Sequence, residues 1–262
     1  MKAYVINLAR ATDRRSHMVE QLERVAVEFE FVEAMDGRVI ELEGNPLVDL
    51  ERIESSGKVA PASVPGSVGC TLSHLAVWRL ALERDLSSVL VLEDDVELPD
   101  DLGPLASSVA NLVSGAEVAL LDFHAPSSVL KAVGPPAPLP GGRKLYTSDG
   151  EELRAAGAYI ATSEACRRLA AAVLPVHSST DDWVSYLSMG AIDRLRFVVP
   201  MPVQQLPTFR STIDTFLTHS FQTRIREAAA HTPCVSRLVA LRRRRRFQQN
   251  NWTGKVEVKV RL

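Results

Sequence analysis

The chain has 262 residues, of which 46% are hydrophobic and 24% charged, a composition that excludes an intrinsically disordered protein. Its formal net charge is −2, and no apolar run approaches the ~20 residues that a membrane-spanning helix needs. Met1 does not open a secretory signal, and the three cysteines lack the C-x-x-C spacing of a structural zinc site or redox motif, so we expect a reducing cytoplasm.

A strand, a helix and a second strand are predicted at the start of the chain. Residues 3–8 form a short apolar run that is typical of a buried strand, and a helix is predicted from there to about residue 24. Residues 28–32 alternate as a second strand, which ends in a turn at residues 34–37. Residues 38–68 are rich in glycine and proline and are predicted to form a long irregular loop, a kind of segment that usually serves function.

From residue 71 onward the pattern alternates between helices and strands. The apolar residues of a helix predicted at 71–84 share one face, and residues 88–92 are typical of a strand buried on both faces. The alternation predicts an α/β fold, a three-layer domain over residues 1–210 with a mostly parallel sheet that binds ligands at the carboxyl ends of its strands. The further predicted elements are a helix at 101–113, strands at 117–122, 158–161 and 195–199, a Pro/Gly-rich stretch at 126–142, and helices at 163–173, with Ser163 as its cap, and at 181–189.

Three consecutive acids, Glu93, Asp94 and Asp95, follow the strand predicted at 88–92. Like charges held this close repel one another, and a divalent cation would neutralise them. Glu93 and Asp95 are two residues apart and would point to the same side of a strand, where both could approach one Mg²⁺ or Mn²⁺. Asp94 could reach a ribose hydroxyl or a backbone amide. The alternative is a solvated turn without a ligand.

Asn7, Arg10, Arg14 and Arg15 follow the first strand, where a carboxyl edge would present them to a base or a phosphate. The sequence has neither G-x-x-x-x-G-K-[ST] nor G-x-G-x-x-G, so a P-loop hydrolase and a dinucleotide enzyme are not supported. The alternative is that Arg14 and Arg15 form the exposed face of the first helix.

Five segments in order resemble glycosyltransferase family 25, whose members build bacterial lipopolysaccharide and include collagen galactosyltransferases. The segments cover much of residues 2–200 and are VINLARATDRR (5–15), FVEAMDG (31–37), GCTLSHLAVWR (69–79), VLVLEDDVEL (89–98) and AYIATSEACRRL (158–169). The resemblance implies a GT-A-like nucleotide-sugar-binding domain and an inverting hexosyltransferase. Such an enzyme would move galactose or glucose from a UDP-sugar to a saccharide or lipid-linked acceptor, in lipopolysaccharide or cell-surface glycan biosynthesis.

The resemblance also implies roles for individual residues. Glu93 to Asp95 stand where the family has its metal motif, with Asp95 as the preferred ligand of Mn²⁺ or Mg²⁺ and Glu93 as a departure from aspartate. The alternative for His74 is a structural histidine beside Trp78. The residues expected to bind the donor are Asn7, Leu8, Arg10, Arg14, Asp36, Gly37, Ser73, His74 and Asp94.

A later acidic pair, Asp181 and Asp182, resembles an acidic segment of the family and could face the acceptor. An inverting transfer needs one carboxylate to accept the proton of the attacking hydroxyl, and Asp182 or Asp181 is the candidate. The alternative is that these acids only begin a helix, where its dipole favours negative charge.

Residues 211–262 are predicted to form a basic helical extension. Residues 224–262 contain 11 lysines and arginines against two acids, a net charge of +9 that leaves −11 for residues 1–223. Five consecutive arginines, from Arg242 to Arg246, adjoin an apolar patch and could hold the protein on the anionic inner face of the cytoplasmic membrane. A solvated tail is an alternative, and no nucleic acid is expected as a partner. The alternative function is that of a catalytically inactive family member acting as a scaffold at an anionic surface.

Overall fold

The computed structural model describes residues 1–150, 152–206 and 254–259. The helices are α1 (Thr12–Arg24), α2 (Leu50–Ser56), α3 (Val64–Glu83), α4 (Leu102–Ala110), α5 (Ser163–Ala172) and α6 (Trp183–Ser188), with 3-10 turns at Gly37–Val39, Pro61–Ser63 and Pro140–Gly142. The strands are β1 (Ala3–Asn7), β2 (Phe29–Glu33), β3 (Ser88–Glu93), β4 (Val96–Glu97), β5 (Glu117–Leu120), β6 (Val129–Val133), β7 (Ala137–Pro138), β8 (Lys144–Thr147), β9 (Ala158–Thr162), β10 (Arg194–Val199), β11 (Gln204–Gln205) and β12 (Lys255–Lys259).

Eight strands form one mixed sheet in the order β2-β1-β3-β9-β5-β10-β8-β7. The pairs β2/β1, β1/β3 and β5/β10 are parallel, whereas β9 is antiparallel to both of its neighbours and β8 is antiparallel to both β10 and β7. The expectation of a mostly parallel sheet is therefore not confirmed, since three of the seven neighbouring pairs are parallel and four are antiparallel. A continuous apolar run indicates that both faces of a strand are buried, but it carries no information about the direction in which the strand enters the sheet.

Helices cover both faces of this sheet. Helices α3, α5 and α6 pack on one face, around Trp78, Tyr159 and Phe197, and α1 and α4 pack on the other, around Met18 and Leu92. The predicted three-layer α/β arrangement is thus confirmed, and it is consistent with a GT-A-like fold.

Several local predictions differ from the structure. Helix α3 begins at Val64 instead of residue 71, and α2 lies in the segment that was expected to be irregular. The Pro/Gly-rich stretch contains the short strands β6 and β7. Helix α5 is capped by Thr162 instead of Ser163, since Oγ1 of Thr162 accepts a hydrogen bond from the backbone N–H of Ala165.

Little of the predicted basic extension is described. Strand β12 pairs in parallel with β6, so Lys255–Lys259 form a strand and not part of a helix. The arginines from Arg242 to Arg246 lie outside the described residues, and the division of the chain near residue 210 remains a prediction. Within the described ranges, the helices are too short or too polar to cross a membrane.

Candidate active site

A cleft lies beyond the adjacent ends of β1 and β3. These strands are parallel neighbours, with Ile6 paired to Glu93, so the residues that follow each strand reach the same edge of the sheet. The structure gathers nearly all of the residues predicted to bind the donor or the metal in this cleft, which is named the donor cleft after that prediction. They are Leu8, Arg10, Arg14, Asp36, Gly37, Ser73, His74, Glu93, Asp94 and Asp95, and Cys70 and Gln205 also line it.

Asp94 ties the end of β3 to the first strand and helix. Its Oδ2 accepts a hydrogen bond from Nδ2 of Asn7 at 2.7 Å, and its Oδ1 accepts one from Nη1 of Arg14 at 2.6 Å. Asn7, Arg14 and Asp94 are all buried, so the alternative of an exposed Arg14 is wrong. Arg15 is exposed and lies over the ring of Phe31. Asp94 therefore lies at the base of the donor cleft with both oxygens bound by protein groups, whereas Asn7 contacts Asp94 but does not itself line the cleft.

Asp95 is buried, yet one of its oxygens is unsatisfied. Its Oδ2 lies 3.3 Å from Nη1 of Arg14 and 3.4 Å from Nε2 of Gln205, whereas Oδ1 has no hydrogen-bond partner. The pKa of the Asp95 carboxyl is raised to about 7, chiefly by burial and also by the negative charge of Glu93, although the charge of Arg14 opposes the rise. A buried carboxylate oxygen without a partner fits a hard divalent cation and excludes the alternative of a solvated turn.

Glu93 is bound by two side chains of α3. Its Oε1 lies 3.3 Å from Nε2 of His74 and 3.8 Å from Sγ of Cys70. Burial opposes ionisation of Glu93, but the hydrogen bond from His74 and the charge of Arg14 outweigh it, so the pKa of Glu93 is lowered. The ligand atoms of Cys70, His74 and Glu93 all lie within 4.8 Å of one another, close enough to surround one metal ion.

Helix α3 packs directly against the turn that follows β2. A Cβ atom at Gly69 would lie 2.6 Å from the carbonyl oxygen of Met35, and one at Gly37 would lie 2.0 Å from the carbonyl oxygen of Pro65. Oγ of Ser73 accepts a hydrogen bond from N–H of Met35 at 2.8 Å and donates one to the carbonyl of Gly69 at 2.6 Å. Ser73 and the two glycines therefore position the wall of the donor cleft.

Asp36 is a charged residue at the mouth of the donor cleft. Its carboxylate pairs with both Arg10 and Arg38. The hydrogen bond from Arg38 is the main cause that lowers the pKa of Asp36, although partial burial opposes it. Arg10 keeps 37% of its side chain exposed, so its guanidinium can also reach a ligand at the mouth.

A second cleft adjoins the first. The two share Cys70, Glu93 and Gln205, and the second is completed by Ser67, Asp122, His124, Ala155, Ala156, Gly157, Ser179, Thr180 and Asp181. Asp181 accepts a hydrogen bond on Oδ2 from the backbone N–H of Ala155 at 3.3 Å. Ala155 has a φ of 88°, a left-handed conformation that is costly for a residue other than glycine.

Asp182 lies behind this second cleft and does not line it. Its Oδ2 accepts hydrogen bonds from Nζ of Lys58 and from Oγ of Ser185, both at 2.8 Å. Burial raises the pKa of Asp182, but the bonds from Lys58 and Ser185 outweigh it, and the pKa is lowered. Asp182 is the residue before α6, and its side chain makes no capping bond there. The structure thus separates the two predicted acids, with only Asp181 open to a ligand.

Asp122 is a site residue that sequence reasoning missed. It is buried just after β5, and its Oδ1 accepts a hydrogen bond from the backbone N–H of Ala158 at 3.0 Å. Burial raises its pKa well above the ordinary value, and the charges of Glu93, Asp95 and Asp181 add to that effect. The pattern that identified Glu93, an acid directly after an apolar strand, also applies to Asp122.

The first 124 residues match the family model described as glycosyltransferase family 25 (LPS biosynthesis protein). Procollagen galactosyltransferase 2 of Homo sapiens is 36% identical over 125 residues, which are 46% of this chain and 19% of that protein. The "Inactive glycosyltransferase 25 family member 3" of Mus musculus is 36% identical over 104 residues, which are 38% of this chain and 17% of that protein.

A bacterial relative, a Haemophilus influenzae protein whose name assigns it provisionally to the glycosyltransferases, is 33% identical over 99 residues. These are 37% of this chain and 33% of that protein, so the match covers no more than a third of any of these three relatives. The motif segments that lie between residues 5 and 98 all fall within the range of the family model. Residues 1–124, just under half of the chain, are therefore similar in sequence to glycosyltransferase family 25.

Proposed function

We propose that the protein is a metal-dependent glycosyltransferase that moves a hexose, galactose or glucose, from a UDP-sugar to a saccharide or lipid-linked acceptor. The observation that carries this proposal is the buried, unpartnered Oδ1 of Asp95 beside Glu93, in a cleft that Arg10 and Arg14 also line. Arginine and a divalent cation are the groups that hold a diphosphate in water-excluded sites.

Glu93 and Asp95 would hold the ion, Mn²⁺ or Mg²⁺. A bound ion would offset the negative charge that grows on the departing nucleotide diphosphate. The guanidinium of Arg14 would support metal binding, because it neutralises the charge of Asp94 and part of the charge of Asp95. It thereby limits the repulsion among the three acids. Arg10 and the turn at Asp36 and Gly37 lie at the mouth, where the nucleoside would bind.

The second cleft would take the acceptor, with Asp181 as the general base. The acceptor hydroxyl oxygen attacks the anomeric carbon, the bond from that carbon to the diphosphate oxygen breaks, and the hydroxyl proton passes to the Asp181 carboxylate. This displacement inverts the anomeric centre. Asp181 is favoured over Asp182 because the carboxylate of Asp182 is bound by Lys58 and Ser185.

The test is a pair of isosteric variants. Asp181→Asn should lower the rate of transfer by at least ~100-fold, the usual contribution of a general base, and should keep UDP affinity within about threefold. Asp182→Asn should lower stability but leave transfer by the folded protein within about threefold, and Glu97→Gln, at an exposed acid, is the neutral control. Full transfer by Asp181→Asn would reject Asp181 as the base.

A screen of UDP-galactose and UDP-glucose, with and without Mn²⁺, tests the donor and the metal. Metal-dependent release of UDP from one of them supports the enzyme. The second candidate function is a catalytically inactive protein, which the likeness to a relative named as inactive favours. An inactive protein would give no sugar release with any donor or acceptor, even where it bound UDP and Mn²⁺.

Attachment to the inner face of the cytoplasmic membrane through Arg242 to Arg246 is part of the proposal, and so is a role in lipopolysaccharide or other cell-surface glycan synthesis. Anionic leaflets attract basic clusters by about 1 kcal/mol per residue. Co-sedimentation with vesicles that contain an anionic phospholipid should therefore weaken as salt rises, and vesicles of phosphatidylcholine alone should not bind the protein.

A further inference from the structure

A chain of hydrogen bonds runs from the core to Glu93. Nε1 of Trp78 donates to the hydroxyl oxygen of Tyr159 at 2.8 Å, and that oxygen lies 2.9 Å from Nδ1 of His74. Nε2 of His74 lies 3.3 Å from Oε1 of Glu93. Trp78, Tyr159 and His74 are each 0% exposed, so bulk water does not reach any of these partners.

The direction of each bond follows from the donors available. The indole nitrogen of Trp78 can only donate, so the Tyr159 oxygen accepts from it. The Tyr159 hydroxyl then needs an acceptor for its own proton, and among the described residues Nδ1 of His74 is the one within reach. A neutral imidazole with an accepting Nδ1 carries its proton on Nε2, and that proton points to Glu93.

We propose that Trp78 and Tyr159 fix His74 as the Nε2–H tautomer, so that His74 is a positioning residue that holds the Glu93 carboxylate in place. Glu93 receives both of its contacts on Oε1, from His74 and from Cys70. Its Oε2 has no hydrogen bond to any of the residues that the structure describes, which leaves that oxygen for a ligand.

The same contacts decide against a metal bound by Cys70, His74 and Glu93 together. The spacing of these three side chains is compatible with such a site. However, a histidine that binds metal through Nε2 must have no proton there and would donate from Nδ1. The Tyr159 oxygen would then receive two protons, from Trp78 and His74, and its own proton would be buried without an acceptor.

The ring contacts support a fixed imidazole. The ring of His74 stacks on that of Tyr159, with centroids 5.7 Å apart and an angle of 22° between the planes. Trp183 packs on Tyr159 with its edge, at a centroid distance of 5.3 Å. Rotation of His74 about its side-chain bonds would therefore break both the stacking and two hydrogen bonds.

Long-range ¹H–¹⁵N spectra of the histidine-labelled full chain, without metal and at pH 8, report the tautomer directly. The His74 signals are identified from their loss in His74→Gln. We expect Nε2 protonated and Nδ1 unprotonated. Tyr159→Phe removes one hydroxyl and keeps the ring, and it should shift His74 towards a mixture of tautomers. Tyr186→Phe is the matched control, because Tyr186 is equally buried and its hydroxyl is outside the chain; it should leave His74 unchanged.

A Mn²⁺ titration of the same proteins adds a second measurement. Loss of a hydrogen-bond partner of a metal ligand typically weakens metal affinity by ~10–100-fold. Tyr159 acts on Glu93 through His74, so Tyr159→Phe should bind Mn²⁺ more weakly than wild type or Tyr186→Phe by up to about tenfold. A ring protonated on Nδ1 or on both nitrogens, or Mn²⁺ or Zn²⁺ binding that removes the Nε2 proton, would overturn the proposal.

The inference rests on the proposed function only in taking Glu93 as a metal-binding group. A protein that bound no Mn²⁺ but kept the Nε2–H tautomer in a Tyr159-dependent way would reject the metal function and support the hydrogen-bond chain. A protein that bound Mn²⁺ with a different tautomer would support the metal function and reject the hydrogen-bond chain.

Discussion

Replacing Asp95 with asparagine should make the metal-free protein more stable at pH 8. Asparagine has nearly the shape of a protonated aspartate but carries no charge. In the wild type the folded state holds the Asp95 proton until about pH 7, whereas the ordinary pKa of an aspartate is 3.8. The contribution of Asp95 to stability is therefore complete below about pH 4, falls as the pH rises towards 7 and stays low above that.

The size of the effect follows from the pKa. Each pKa unit corresponds to about 1.4 kcal/mol, so the rise from 3.8 to about 7 corresponds to about 4 kcal/mol at pH 8. This is the upper limit for the gain in Asp95→Asn, because the variant also loses the charge that faces Arg14 at 3.3 Å. At pH 5 the wild-type carboxyl is largely protonated in the folded state, and the gain should be much smaller.

Urea unfolding in EDTA at pH 5, 6, 7 and 8 measures this difference. The free energy of unfolding of Asp95→Asn should exceed that of the wild type by an amount that grows with pH. Asp100→Asn is the control, since the Asp100 side chain is 91% exposed and should give no such trend. An Asp95→Asn protein that is no more stable than wild type at pH 8 would refute the account of a buried, uncompensated carboxylate.

Three further predictions concern the same region. Gly69→Ala should lower the free energy of unfolding by about 1–3 kcal/mol and weaken UDP binding, because the new methyl group collides with backbone. In the same urea titration Gly103→Ala, whose new methyl group would have its nearest neighbour at 3.5 Å, should be neutral or slightly stabilising. Arg14→Met should cost about 3–5 kcal/mol, since it strands the buried carboxylate of Asp94, and a thermal melt that matched wild type would contradict this. Calorimetric titration with Mn²⁺ should show affinity falling about tenfold from pH 8 to pH 6, because Asp95, with a pKa of about 7, must ionise to bind the ion. Binding should release about one proton at pH 6 and few at pH 8, and a pH-independent affinity would exclude Asp95 as a ligand.

The central strands and the donor cleft could be predicted because each depends on short stretches of sequence. The run that forms β3 and the acids directly after it specify a buried strand with charges at its end, and parallel pairing with β1 brings the residues after Asn7 to the same place. The sequence alone does not show whether Arg14 is buried, because helical periodicity cannot reveal that the acids after another strand lie opposite its side chain.

The second cleft could not be predicted to the same extent. It depends on β9 entering the sheet antiparallel between β3 and β5, and strand direction is set by long-range connections. Asp122 reaches the site through its contact with β9, whereas Gln205 is placed by the pairing of β11 with β4. Asp181 and Asp182 are adjacent in sequence, and the turn before α6 decides which of them is exposed, so the sequence left both as candidates for the base.

The family match covers the two clefts to different extents. Apart from Gln205, the donor cleft is made by residues before position 124, whereas half of the residues that line the second cleft come from 155–157 and 179–181. Under the proposed function, substitutions in those later segments can redirect the enzyme to a new acceptor while the nucleotide pocket stays as inherited. At the shared residues Cys70, Glu93 and Gln205, by contrast, a change for either partner must suit both.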